Sequence, residues 1–85
     1  MTSAAAFLVE AESGAALLCR LVGLLAQRDL QIHELEARPR RAGTSEIRIV
    51  LTGLAAHEAQ IVAAKMERMI GVSAVRLDPA AAVAA

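Results

Sequence analysis

The stretch Arg38-Pro39-Arg40-Arg41-Ala42-Gly43-Thr44-Ser45-Glu46-Ile47-Arg48-Ile49-Val50-Leu51-Thr52 decides how the rest of the chain can fold. In its second half Ile47, Ile49 and Leu51 fall on one side of an extended chain and Arg48, Val50 and Thr52 on the other. That period of two is what a half-buried strand requires, and it predicts a strand over 46–52. Pro39 has no N–H to give to a ladder, so the segment it closes belongs at a sheet edge. Between the two halves, Arg40-Arg41-Ala42-Gly43-Thr44 has the composition of an exposed hairpin loop.

Working outward, Gln31 to Arg38 supplies the other arm of this hairpin. Ile32 closes the preceding turn, and Leu35 and Ala37 share one strand face. Upstream, Leu18, Leu21, Val22 and Leu25 recur at three and four, with Leu17 and Leu24 widening the stripe, so 15–28 reads as an amphipathic helix. Arg20 and Arg28 suit the negative end of its dipole. Ser13, before Gly14, is the expected side-chain cap. The apolar run from Ala5 to Glu10 is a first strand. Downstream, Gly53 breaks the chain, and Leu54 to Ile70 reads as a second helix. Its stripe is Ala55, Glu58, Val62, Met66, Met69 and Ile70, with Gly71 as its C-cap. Val72 to Leu77 is a last strand, stopped by Asp78-Pro79. Residues 1–79 form one domain, and the alanine-rich 80–85 is expected to be a disordered tail.

The order βαββαβ implies an α+β, ferredoxin-like sandwich. Two split β-α-β units interleave into a four-stranded antiparallel sheet with both helices on one face. The first strand is central there and the second lies at an edge, where Pro39 requires it. The unpaired edge, with Leu8, Val50 and Val75 or Ala74 on the open face, favours a homodimer through the sheet edge. A chain of 85 residues gains from area buried by a partner.

Composition narrows the function. Nine basic side chains balance nine acidic ones, which argues against a general affinity for nucleic acid or anionic membrane. The uncharged stretches either side of Arg20 fall far short of the roughly 20 residues of a membrane span. The N-terminus has no basic start, and Glu10 and Glu12 interrupt it, so the expected location is cytoplasmic. Cys19 is the single cysteine; it cannot build a disulfide framework and is expected as a packed thiol beside the helical stripe.

Catalytic chemistry has little to stand on. His33 and His57 lie on different elements and are read as solvated, and the Glu34–Glu36 pair as a solvated edge. The first loop offers no C-x-x-C for a metal. A non-catalytic protein without a cofactor is the expectation. Arg38, Arg40 and Arg41 form the one charge cluster, but βαββαβ domains that bind RNA stack bases on central-strand aromatics, and Phe7 is the only aromatic here. The loop Ser13-Gly14-Ala15-Ala16 has two readings. It is either an ordinary capped turn or an anion site, with free backbone N–H groups at a helix N-terminus and side chains small enough to let a carboxylate approach.

Three segments carry a family resemblance: Glu12-Ser13-Gly14-Ala15, then Arg20-Leu21-Val22-Gly23-Leu24-Leu25-Ala26-Gln27-Arg28, then Ile32-His33-Glu34-Leu35, with Met66 to Val72 as a weaker fourth. Together they resemble the ACT domain, and more narrowly the short form of the small regulatory subunits of acetolactate synthase. The resemblance covers residues 6–78. It implies a non-catalytic partner that binds and activates a thiamine-diphosphate-dependent catalytic subunit in branched-chain amino acid biosynthesis. That catalytic subunit would carry the thiamine diphosphate, Mg and FAD. It also implies a side-by-side dimer that senses valine, leucine or isoleucine at its interface. The effector would be held by Ser13, Gly14, Ala15 and Ala16 of one chain and by Gln31 and Ile32 of the other. Two alignments of the loop are possible, and neither keeps the family's loop asparagine; Gln31 stands where a second one is usual. The runner-up is a free-standing amino-acid-binding ACT module of another pathway, and a nucleic-acid-binding domain using the arginine hairpin comes third.

Overall fold

The computed structural model describes residues 4–78. Six elements follow in the expected order: β1 (Ala4–Glu12), α1 (Ala15–Gln27), β2 (Gln31–Pro39), β3 (Thr44–Thr52), α2 (Ala56–Glu67) and β4 (Val72–Asp78). The strands form one antiparallel sheet in the order β2-β3-β1-β4, so β1 is central and the strand that ends at Pro39 is an edge. The expected tail, 80–85, lies outside the described residues.

Alternation builds the core. Ala5, Phe7, Val9 and Ala11 of β1 and Ile47, Ile49 and Leu51 of β3 point to the same side and are buried against Leu17, Leu21 and Leu25 of α1 and Ala59, Val62 and Met66 of α2. Leu54 closes one end of this cluster. Val75 and Leu77 pack on the same side, which leaves Ala74, in register with Glu10, for the open face. There Ala6 and Val50, cross-strand neighbours, make a small second buried cluster, and Leu8 is half-buried.

Three local expectations about the helices are corrected. Ser13 does not cap α1: its backbone N–H donates to the Gly43 carbonyl and its hydroxyl shares a 2.7 Å hydrogen bond with Ser45, so it belongs to the sheet side of the turn. Gly14 takes the N-cap position instead, at φ 128°, a backbone conformation that side chains disfavour. Cys19 is exposed, not packed. It stands two residues from both Leu17 and Leu21, about 200° around a helix of 3.6 residues per turn, and so faces away from the core they occupy. Finally, α2 stops at Glu67 with Arg68 as its C-cap, so the helical period no longer governs Ile70, which is 82% exposed.

Gly71 is not the cap of α2, and it is its backbone conformation that calls for glycine. Its φ is 99°, its carbonyl accepts from the Glu12 N–H at 2.8 Å, and a Cβ there would lie 2.9 Å from a Glu12 carboxylate oxygen.

The edge strand departs most from expectation. Leu35 and Ala37 are in register with Ile49 and Ile47, hence on the helix side of the sheet, yet both are exposed. Eight of the nine β2 residues are exposed, Glu36 alone being half-buried. A register shift between Ile32 and Glu34 leaves His33 without a cross-strand partner, as in a β-bulge.

Two substitutions test this account by urea unfolding. Phe7→Ala should lower the unfolding free energy by about 3–5 kcal/mol, the usual effect of emptying a buried aromatic site. Gly71→Ala should cost about 1–3 kcal/mol, because the positive-φ backbone there opposes any side chain, whereas the exposed Glu12 carboxylate can swing aside.

Candidate functional site

The first turn of α1 follows from small residues next to a hairpin. No side chain caps the helix, and no acidic residue lies in its first turn. Since the first N–H groups of any helix lack intrahelical partners, the backbone at Gly14, Ala15 and Ala16 presents donors to whatever lies alongside, and the dipole favours a negative group there. Beside it is a cleft of about 270 Å³ lined by Glu12, Gly14, Ala15, Leu18, Ala37, Ser45 and Ile47. Its walls combine an apolar surface (Leu18, Ala37, Ile47) and the uncapped helix start. That combination suits a small molecule with a hydrocarbon part and a charged end.

The residues expected to bind an effector are not all together. Gly14 and Ala15 line the cleft, whereas Ser13 and Ala16 flank it. Gln31 and Ile32 lie elsewhere: Gln31 is in register with Thr52, whereas the loop leaves β1 after Glu12, which is in register with Thr44. Eight β3 residues at about 3.4 Å each put roughly 27 Å between those two ends. Within a single chain the two halves of the expected site stay apart. Glu12 was visible in the Glu-Ser-Gly-Ala segment, but the contributions of Ala37 and Ser45 come from strand register and carry no sequence signal.

The arginine cluster is largely spent on neighbours. Arg38 pairs with Glu36 at 3.0 Å, Arg40 with Glu46 at 2.8 Å, and Arg48 with Glu34 at 2.8 Å. The hydrogen bond from Arg40 to Glu46, and then their mutual attraction, raise the guanidinium's already high pKa. A second, polar cleft of about 410 Å³ lies at this end of the sheet, lined by Glu10, Arg40, Arg41, Thr44, Ser45, Glu46 and Ser73. Its central arginine is already engaged, and Glu10 and Glu46 oppose each other across the strands. The smaller cleft is therefore the better candidate, because its donors are backbone groups that no side chain caps. His33 and His57 are both exposed, and among the described residues no cluster of three or more His, Cys, Asp or Glu could hold a metal ion. No helix among them is long and apolar enough to cross a membrane.

A family model described as an ACT-like domain matches residues 1–84. No curated protein matches the sequence. Among solved structures, the ACT domain from GTP pyrophosphokinase of Chlorobium tepidum is similar, with a TM-score of 0.76 at 13% identity, covering 92% of this chain and 100% of that one. The C-terminal domain of the MgtC protein from Mycobacterium tuberculosis gives 0.73 at 15% identity, covering 89% and 85%. The regulatory subunit of aspartate kinase from Thermus thermophilus gives 0.71 at 13% identity over 93% of this chain, which spans only 54% of that one. At such identities these likenesses establish the fold alone. The family model extends over nearly the whole sequence, and the chain belongs to the ACT-like domain family.

Proposed function

We propose that this ACT-like domain is a non-catalytic regulatory subunit that works as a side-by-side dimer, pairing β2 with β2 of a second copy and taking a small amino acid at the interface. The observation that carries this is the state of β2. An edge strand with unpaired N–H and C=O groups also leaves Leu35 and Ala37 uncovered on the side where the rest of the sheet is packed. An antiparallel pair about Leu35, the middle of β2, places Gln31 of one chain opposite Pro39 of the other. The separation of Gln31 and Ile32 from the Ser13–Ala16 loop within one chain is then bridged between chains.

The enzyme this subunit serves is, in this proposal, acetolactate synthase. Support comes from the loop, helix and strand segments between Glu12 and Leu35 that resemble its small subunits. The subunit would bind and activate the thiamine-diphosphate-dependent catalytic chain, with a branched-chain amino acid as effector. A second reading is a free-standing amino-acid-binding module of another pathway. The generic family match and the variety of proteins sharing the fold favour keeping it.

Two measurements decide between these. Stoichiometric titration into the catalytic subunit of acetolactate synthase should raise acetolactate formation. An unchanged rate overturns the acetolactate synthase assignment and leaves the second reading. Leu35→Asp places two carboxylates at the dimer axis, where directly opposed like charges repel, and should weaken dimerisation at least about tenfold by sedimentation equilibrium. An unaltered dimer would show that β2 is not the contact.

A further inference from the structure

Both helices pack on one side of the sheet, and the charges on the other side fall in an ordered pattern. On β2, Glu34 and Glu36 precede Ala37, while Arg38 and Arg40 follow it. On β3, Glu46 and Arg48 stand on either side of Ile47. Ala37 and Ile47 are in register, and Val9 of β1 and Val75 of β4 continue the same row across the sheet. Beside that row, toward the hairpin, lie Arg38, Glu46, Glu10 and Ala74; on its other side lie Glu36, Arg48, Leu8 and Arg76. Each charge that β2 and β3 carry next to the row is thus matched by its opposite across it. Asp78, in register with Ala6, lies beyond this set at the rim. At the centre, half-buried Leu8 is shared by two clefts of about 210 and 200 Å³, one toward β4 and one toward β2.

A pattern that changes sign across one row fits a second copy of itself. A half-turn about an axis along that row lays another chain face down, strand over strand. Glu36 then meets Arg38 of the other chain, Glu34 meets Arg40, and Glu46 meets Arg48, each contact occurring twice. Arg76 comes down over Ala74 of the other chain, which is in register with Glu10, so Arg76 arrives beside that carboxylate. Glu10 and Arg76 take part in none of the three ion pairs within the chain. Packed sheets lie about 10 Å apart, a gap that a glutamate and an arginine bridge together. The chain's own pairs are exposed and individually weak, so their charges are available to a second chain. A nucleic acid, or any partner of a single sign, would meet as much repulsion as attraction here.

We propose that the helix-free face of the sheet is a docking surface for a second copy of this chain, joined face to face by glutamate–arginine contacts about the Ala37–Ile47–Val9–Val75 row. Such a contact is isologous, the same patch serving on both chains. It is independent of the side-by-side pairing, which uses the edge of β2 and Leu35 on the helix side. With only Leu8 and Ala74 as apolar area at its centre, it is held by charge and is weakened by salt.

Sedimentation velocity of the wild-type chain and of Leu35→Asp, at about 20 and about 500 mM sodium chloride, reads the two contacts separately. The mass of each should at least double from high to low salt, because Leu35→Asp removes the edge contact alone. The decisive variants are Glu10→Arg and Arg76→Glu, both at exposed positions. Each alone brings like charges together across the interface and should weaken the low-salt association at least about tenfold. Mixed in equal amounts they should recover it, since each then supplies the sign that the other lacks. Glu46→Arg with Arg48→Glu repeats the test on β3, and circular dichroism verifies that every variant is folded. A wild-type mass that does not respond to salt, folded variants that associate as tightly as wild type, or mixtures that stay dissociated would each overturn the face contact. None of these outcomes bears on the edge dimer, which fails only if Leu35→Asp leaves the high-salt mass unchanged.

Discussion

Burial on one side of the sheet governs this molecule. Ala5, Phe7, Val9 and Ala11 with Ile47, Ile49 and Leu51 turn a continuous apolar surface toward two short helices, and Leu17, Leu21, Leu25, Ala59, Val62 and Met66 close over it. This cover protects the two central strands, is thinner over β4, and does not extend over β2. In a chain this small, hydrophobic burial only narrowly outweighs conformational entropy, so an uncovered edge with apolar side chains on its helix side is a real deficit. In the proposed dimer a second copy of the same strand would supply matching hydrogen-bonding groups.

The same arrangement creates the cleft. The β2–β3 hairpin bends at Ala42 and Gly43, both with positive φ, and brings Gly43 and Ser45 against Ser13. Held there, Ser13 is unavailable as a cap, so Gly14 begins α1 and the first-turn N–H groups remain without a side-chain acceptor. On the opposite face, Glu34–Arg48, Glu36–Arg38 and Glu46–Arg40 neutralise one another in a mixed ladder. Exposed pairs of this kind contribute little to stability. Their effect is to leave the arginines without the uncompensated positive field that nucleic acid would require.

Much of the fold was legible along the chain, and the misses share a cause. Pro39 placed β2 at the edge, and the alternation at Ile47, Ile49 and Leu51 named the inward side of β3 correctly. Local rules failed where a distant segment intervened. Ser13 satisfies the ordinary pattern for a helix cap but is claimed by Gly43 and Ser45, about 30 residues away along the chain. Ile70 continues a helical period that ends early because the chain must turn at Gly71 to begin β4 beside β1. Leu35 and Ala37 have the pattern of a buried strand face, but burial also needs something on top, and periodicity does not report where a helix stops covering a sheet.

The candidate site divides along the same line. Sequence alone determined the element order, the edge position of β2 and the small residues at the start of α1, because each depends on properties of neighbouring residues: backbone freedom, a missing N–H, a period of two or 3.6. Tertiary structure alone decided that Ala37, Ser45 and Ile47 share a cleft with Gly14, and that Gln31 and Ile32 lie at the other end of the sheet. Those facts depend on strand register and on the packing of α1 across the sheet. Both are set by the summed burial of many side chains, which no local stretch of sequence contains.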